Sequence, residues 1–115
     1  MHKFTYRTPR YAVDFPVQLM RDDAVAAGRC REISTEGMRL ELRRPLPPGF
    51  RGVVSLSWRN IHVELQVRLA HSGGGQDALR FVFESDAERA SIAELVARLA
   101  DPFEPSEQPG LVLVR

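Results

Sequence analysis

Residues 61–83 read IHVELQVRLAHSGGGQDALRFVF, and the pattern within them sets the architecture of the rest. Ile61, Val63, Leu65, Val67 and Leu69 alternate with His62, Glu64, Gln66 and Arg68. That period of two lines one face of a strand with apolar side chains. Ser72-Gly73-Gly74-Gly75 supplies a hairpin loop, and Leu79, Phe81 and Phe83 restart the alternation on a returning strand. A single hairpin cannot bury its apolar face in water, so more strands are required.

Upstream sequence supplies them. Tyr11, Val13, Phe15, Val17 and Leu19 mark a first strand, in which Pro16 has no amide to donate and is expected at an edge or a bulge. A weaker strand spans about Val25–Ile33, a third carries Met38, Leu40 and Leu42, and a fourth carries Val54, Leu56 and Trp58. Short strands separated by turn signals predict an antiparallel sheet closed, or nearly closed, on itself, because closure removes exposed edges. The period then changes. Ser85 and Glu88 have capping-box spacing, and Ile92, Leu95, Val96 and Leu99 recur at helical intervals, which predicts one amphipathic helix over about Asp86–Ala100. The expected organisation is a flexible arginine-bearing arm over 1–10, one barrel with its closing helix over 11–100, and a Pro-rich tail over 101–115. The apolar run Leu111–Val114 in that tail is either frayed or folded back.

Composition narrows the function. With 115 residues, 43% of them hydrophobic, the chain is expected to form one globular domain without a disulfide or structural metal. The lone Cys30 excludes an internal disulfide and fits a reducing, cytoplasmic setting, and no apolar run is long enough to insert in a membrane. Residues 1–60 carry 11 basic and 6 acidic side chains, against 5 and 9 in residues 61–115, and 15 of the 16 basic residues are arginine. The acidic second half offers no continuous basic track and the outward positions no aromatic row, so neither DNA nor RNA is an expected partner.

No catalytic constellation emerges. The three histidines, His2, His62 and His71, lie in no metal-binding spacing; His62 falls on the polar face of its strand, and His71 continues the apolar phase as a packed ring. Cys30 lies between Arg29 and Arg31, but strand neighbours point to opposite faces, so its thiol is not expected to be activated. The triple glycine lacks the lysine and helix start of a phosphate loop. No catalytic residue, metal or cofactor is therefore expected, and the chain is not read as an enzyme.

Two segments remain: Tyr6-Arg7-Thr8-Pro9-Arg10-Tyr11 before the first strand, and Glu32-Ile33-Ser34-Thr35-Glu36-Gly37 between the second and third, where the glycine is read as freeing a turn. An arginine-bearing arm, a proline-bearing first strand and an x-I-S-x-x-G turn, in this order over about residues 5–100, resemble the PilZ domain family. That resemblance implies an all-β fold, a small six-stranded antiparallel split barrel with one C-terminal α-helix, and a receptor for the bacterial second messenger cyclic di-GMP. It also implies a protein effector in motility, pilus or exopolysaccharide machinery. The family marks are R-x-x-x-R in the arm and (D/N)-x-S-x-x-G on the barrel. Here Arg10 takes the place of the second arginine, Tyr6 that of the first with Arg7 one residue late, and Glu32 that of Asp or Asn; Ser34 and Gly37 match. The implied ligand-binding residues are Arg7, Arg10, Glu32, Ser34 and Gly37, with Tyr6 available to stack on a guanine. Arginine forks suit phosphates and the guanine N7 and O6 acceptors. Glu32 either accepts from the guanine N1–H and N2–H₂ edge or pairs with Arg7 or Arg31. The alternative function is a PilZ-like domain that binds no nucleotide and serves as a protein–protein interaction module.

Overall fold

A computed structural model describes residues 8–103. Six strands precede one helix: β1 (Tyr11–Arg21), β2 (Ala24–Ile33), β3 (Gly37–Leu42), β4 (Arg51–Trp58), β5 (Ile61–Gly73), β6 (Gln76–Val82) and α1 (Asp86–Ala100). Every pairing is antiparallel, and the strands close into a barrel in the order β1-β2-β3-β6-β5-β4. The expected all-β architecture with a C-terminal helix is what the chain adopts. Residues 1–7, including Tyr6 and Arg7, and residues 104–115, including Leu111–Val114, lie outside the described residues.

Alternation builds the interior. Val17 and Leu19, Cys30, Leu40, Val54 and Leu56, Leu65 and Val67, and Leu79 are all buried, one or two from each strand. Pro16 lies beside a register break between Ala12 and Phe15, and the β1–β4 ladder begins only at Val17↔Leu56. Its missing N–H therefore interrupts no β1–β4 bond, in keeping with the expectation for a strand proline. Gly74 and Gly75 take positive φ values of 64° and 79°, so the β5–β6 connection is a two-residue turn of the type that only such backbones allow. Buried Asp77 accepts hydrogen bonds from Ser72 Oγ and, at 3.3 Å, from Leu46 N, tying the long β3–β4 connection to that turn.

His71 departs from expectation. It is exposed rather than packed, because the β5–β6 register slips between Leu69 and His71 and the extra residue, Ala70, reverses the side-chain phase. The period of two survives only as far as the bulge.

The helix begins where expected. Ser85 is the N-cap and accepts from Glu88 N at 3.2 Å, while Glu88 Oε1 accepts from Glu84 N at 2.8 Å, one residue before the cap. Ile92 and Leu95 are fully buried and Val96 nearly so, seating α1 against β5 and β1. Arg98 lies over the Trp58 ring, 5.5 Å from its centroid, and donates to Asn60 Oδ1 at 3.3 Å. No described helix is long and apolar enough to cross a membrane.

Candidate ligand groove

The β2–β3 connection is fixed by its serine. Ser34 N donates to Gly37 O at 2.9 Å, and Ser34 Oγ accepts from Glu36 N at 3.1 Å and Gly37 N at 3.3 Å. The hydroxyl thus serves the turn itself. Gly37 has no positive φ; a Cβ there would overlap the Leu79 carbonyl oxygen of β6. Its contribution is close strand approach and not the turn freedom read from the sequence.

This connection and the start of β3 bound a groove of about 450 Å³ on the outer wall of the barrel. Thr8 and Arg10 reach it from the arm, Glu32 from β2, Arg39 from β3, Arg80 from β6 and His71 from the bulged end of β5. Glu32 opposes Arg39 across the β2–β3 ladder, and Gly37 opposes Arg80 across β3–β6. The Glu32 carboxylate lies 3.8 Å from Arg10 Nη1 and 3.6 Å from Arg39 Nε, and Arg80 Nη2 lies 3.7 Å from Glu36 Oε1. All three contacts exceed hydrogen-bond range, so the groove arginines are held by charge and not by directed bonds. Three guanidiniums against two carboxylates leave a net positive groove.

The neighbouring wall is different. Arg29 Nε donates to Asp14 Oδ1 at 2.6 Å, and Arg31 Nε donates to Glu41 Oε1 at 2.7 Å while Arg31 Nη1 stands 3.0 Å from Asp14. The Arg29 hydrogen bond holds the Asp14 carboxyl below its usual range, and the bond to Glu41 raises the Arg31 pKa. Arg31 is therefore not the partner of Glu32 that the sequence allowed. The β2–β3 register shifts between Cys30 and Glu32, and Arg31 is directed to Asp14 and Glu41. Arg39 takes that place instead. Cys30 is fully buried; burial pushes its thiol up to about 12, its Sγ lying 3.2 Å from the Glu32 carbonyl oxygen.

Of the residues expected at a site, Arg10, Glu32, Ser34 and Gly37 line this one groove. Arg39, Arg80, Glu36 and Thr8 line it as well and were not anticipated. Among the described residues, no group of three or more His, Cys, Asp or Glu is placed to hold a metal ion.

A closed six-stranded antiparallel barrel, with one helix packed against it and an arginine-lined groove beside the β2–β3 turn, defines a small all-β barrel domain. The family model for the PilZ domain matches residues 5–100, and the chain belongs to that family. Solved structures that share the fold include the following two. The PilZ domain of CeSA from a cellulose-synthesizing bacterium superposes with a TM-score of 0.70 at 15% identity, covering 82% of this chain and all of that one. The uncharacterized Legionella protein Lpg0364 gives 0.60 at 21% identity, covering 78% of this chain and 91% of its own. No curated protein is similar enough to count as a match.

Proposed function

We propose that this chain is a receptor for cyclic di-GMP that passes its ligand state to a protein partner through its N-terminal arm. The observation that carries the reading is the meeting, in one groove, of the arm residue Arg10 with Glu32, Ser34 and Gly37. PilZ domains are generally receptors for this nucleotide, and the groove has the volume of an ordinary small-molecule site.

Binding would exchange one set of charges for another. The ligand's two phosphodiesters draw Arg10 and Arg39 off Glu32, and the freed carboxylate accepts from a guanine N1–H and N2–H₂ edge. Arg7 supplies a further cation and Tyr6 a stacking face. Exposed ion pairs are worth roughly 0–1 kcal/mol, whereas a hydrogen bond to a charged group contributes about 1.5–3 kcal/mol. The exchange favours the complex. Engagement of the arm by the bound ligand would convert occupancy into a changed surface, a switch by arm ordering that requires no chemistry.

Calorimetric titration with cyclic di-GMP tests this directly. A measurable affinity is expected, and Arg10→Ala weakens it by roughly 10- to 150-fold, the equivalent of one lost charged partner. A flat titration at high micromolar ligand, with the fold intact by circular dichroism, would overturn the proposal.

One observation favours a second reading. Arg10 and Arg39 both already face the longer carboxylate of Glu32, so an internal anion occupies the place a phosphate would take. On that reading the barrel binds no nucleotide and serves as an interaction module. Amide NMR separates the two: no shifts in Arg10–Tyr11 or Glu32–Gly37 on adding nucleotide would support the module.

A further inference from the structure

Among the described residues, the opposite end of β2 has a ladder neighbour on one side only. β1 pairs with β2 up to Arg21↔Ala24, where a two-residue Asp22-Asp23 turn closes the hairpin, with Asp22 at φ 54°. On its other side β2 meets β3 only from Gly28↔Leu42 onward. Ala24, Val25, Ala26 and Ala27 therefore have β1 as their sole ladder neighbour among the described residues. All four are exposed, Val25 at 61%. Bonded and non-bonded pairs alternate along an antiparallel ladder, and Arg21↔Ala24 closes the turn as a bonded pair. The N–H and C=O of Val25 and Ala27 consequently face away from β1. Natural edges are usually blunted by lysine, proline or a bulge. This one is Ala-Val-Ala-Ala and carries none of them.

The ends of the edge bear opposite charge. Asp22 and Asp23 form the turn at one end, and Arg43 and Arg44 follow directly on Leu42, the β3 residue that stands opposite Gly28, at the other. Among the described residues none of these four takes part in an ion pair, whereas Arg29, Arg31 and Arg39 all do.

We infer that the Ala24–Ala27 edge pairs antiparallel with the same edge of a second copy of this chain, continuing the sheet across a two-fold axis. Antiparallel pairing runs each acidic turn into the arginine pair of its partner, and the two-fold makes that contact twice. A second copy fits because the edge is complementary to itself in both backbone and charge. Four residues per edge bury little, so the area falls below about 1,200 Å², the range of weak association. The dimer is therefore concentration-dependent and loosens with salt. It does not depend on nucleotide binding.

Sedimentation velocity on the full chain, from ~10 μM to ~1 mM, spans the affinities at issue. A monomer–dimer equilibrium is expected. Val25→Pro removes an outward N–H without taking a bond from the β1 ladder and weakens the dimer at least about tenfold, close to 1.4 kcal/mol. Asp23→Lys and Arg44→Glu each weaken it, and the double variant restores it. A single monomeric species throughout would overturn the proposal, as would a dimer indifferent to Val25→Pro in a folded protein. Should Val25→Pro unfold the chain, the charge swap decides: failure of the double variant to recover association overturns the proposal, and recovery sustains it.

Discussion

At Gly37 two strands come closer than any side chain permits, since a Cβ would overlap the Leu79 carbonyl oxygen. The obstacle is backbone, which cannot rotate aside. Gly37→Ala should therefore cost about 1–3 kcal/mol as an overpacking change and lower Tm by roughly 5–15 °C. Thermal unfolding of the two proteins side by side measures it, and an unchanged Tm would show that β3 and β6 separate freely. Cys30 makes a prediction of another kind. Burial raises its thiol from an ordinary value near 9 to about 12, so between those values the folded chain holds a proton that the unfolded chain releases. The stability due to that proton is complete below pH 9 and declines as pH rises toward 12. At pH 10 about 1.4 kcal/mol of it is gone. Cys30→Ala abolishes this alkaline loss, so the gap between the two proteins in urea unfolding, under reductant, should narrow by that amount between pH 7 and pH 10.

Among the elements, α1 is attached through few residues. Ile92 and Leu95 are its two fully buried side chains, and the helix packs mainly against β5 and β1. Leu95→Ala leaves a cavity at that seam and should cost about 2–5 kcal/mol in denaturant unfolding; a loss below 1 kcal/mol would mean that the helix closes over the gap. The elements were legible because each imposes its own period on the sequence: two from Tyr11 to Phe83, then helical intervals from Ile92 to Leu99. The bulges were not. The slips before His71 and beside Arg31 change which face a residue joins, and no local pattern marks either of them. Arg10, Glu32, Ser34 and Gly37 could be named because their spacing matches a family mark. Arg39 could be placed on the polar face of its strand by its alternation with Met38 and Leu40. That it opposes Glu32 depends on the β2–β3 register, and that Arg80 joins them depends on β3 pairing with β6 and not with β4. Register and strand order belong to the closed sheet and not to any one segment.

For the molecule as a whole, the groove is assembled from four separated stretches: residues 8–10, 32–39, 70–71 and 78–80. Only barrel closure brings them together, so a ligand held there binds the folded chain and has no site on the unfolded one. Mass action then links occupancy to global stability, by about 2.7 kcal/mol at a free ligand concentration 100-fold above Kd. For a domain of this size that corresponds to a rise in Tm of roughly 10–20 °C. Cyclic di-GMP should produce this shift in the native chain, and GMP at equal concentration should not. Arg10→Ala separates binding from folding. Arg10 is exposed and meets Glu32 only at 3.8 Å, so its loss should change the unliganded Tm little, while a 10- to 150-fold weaker affinity removes roughly half to nine-tenths of the ligand-dependent rise. An equal rise in both proteins would place the ligand away from the arm, and the relay through residues 6–10 would lose its basis.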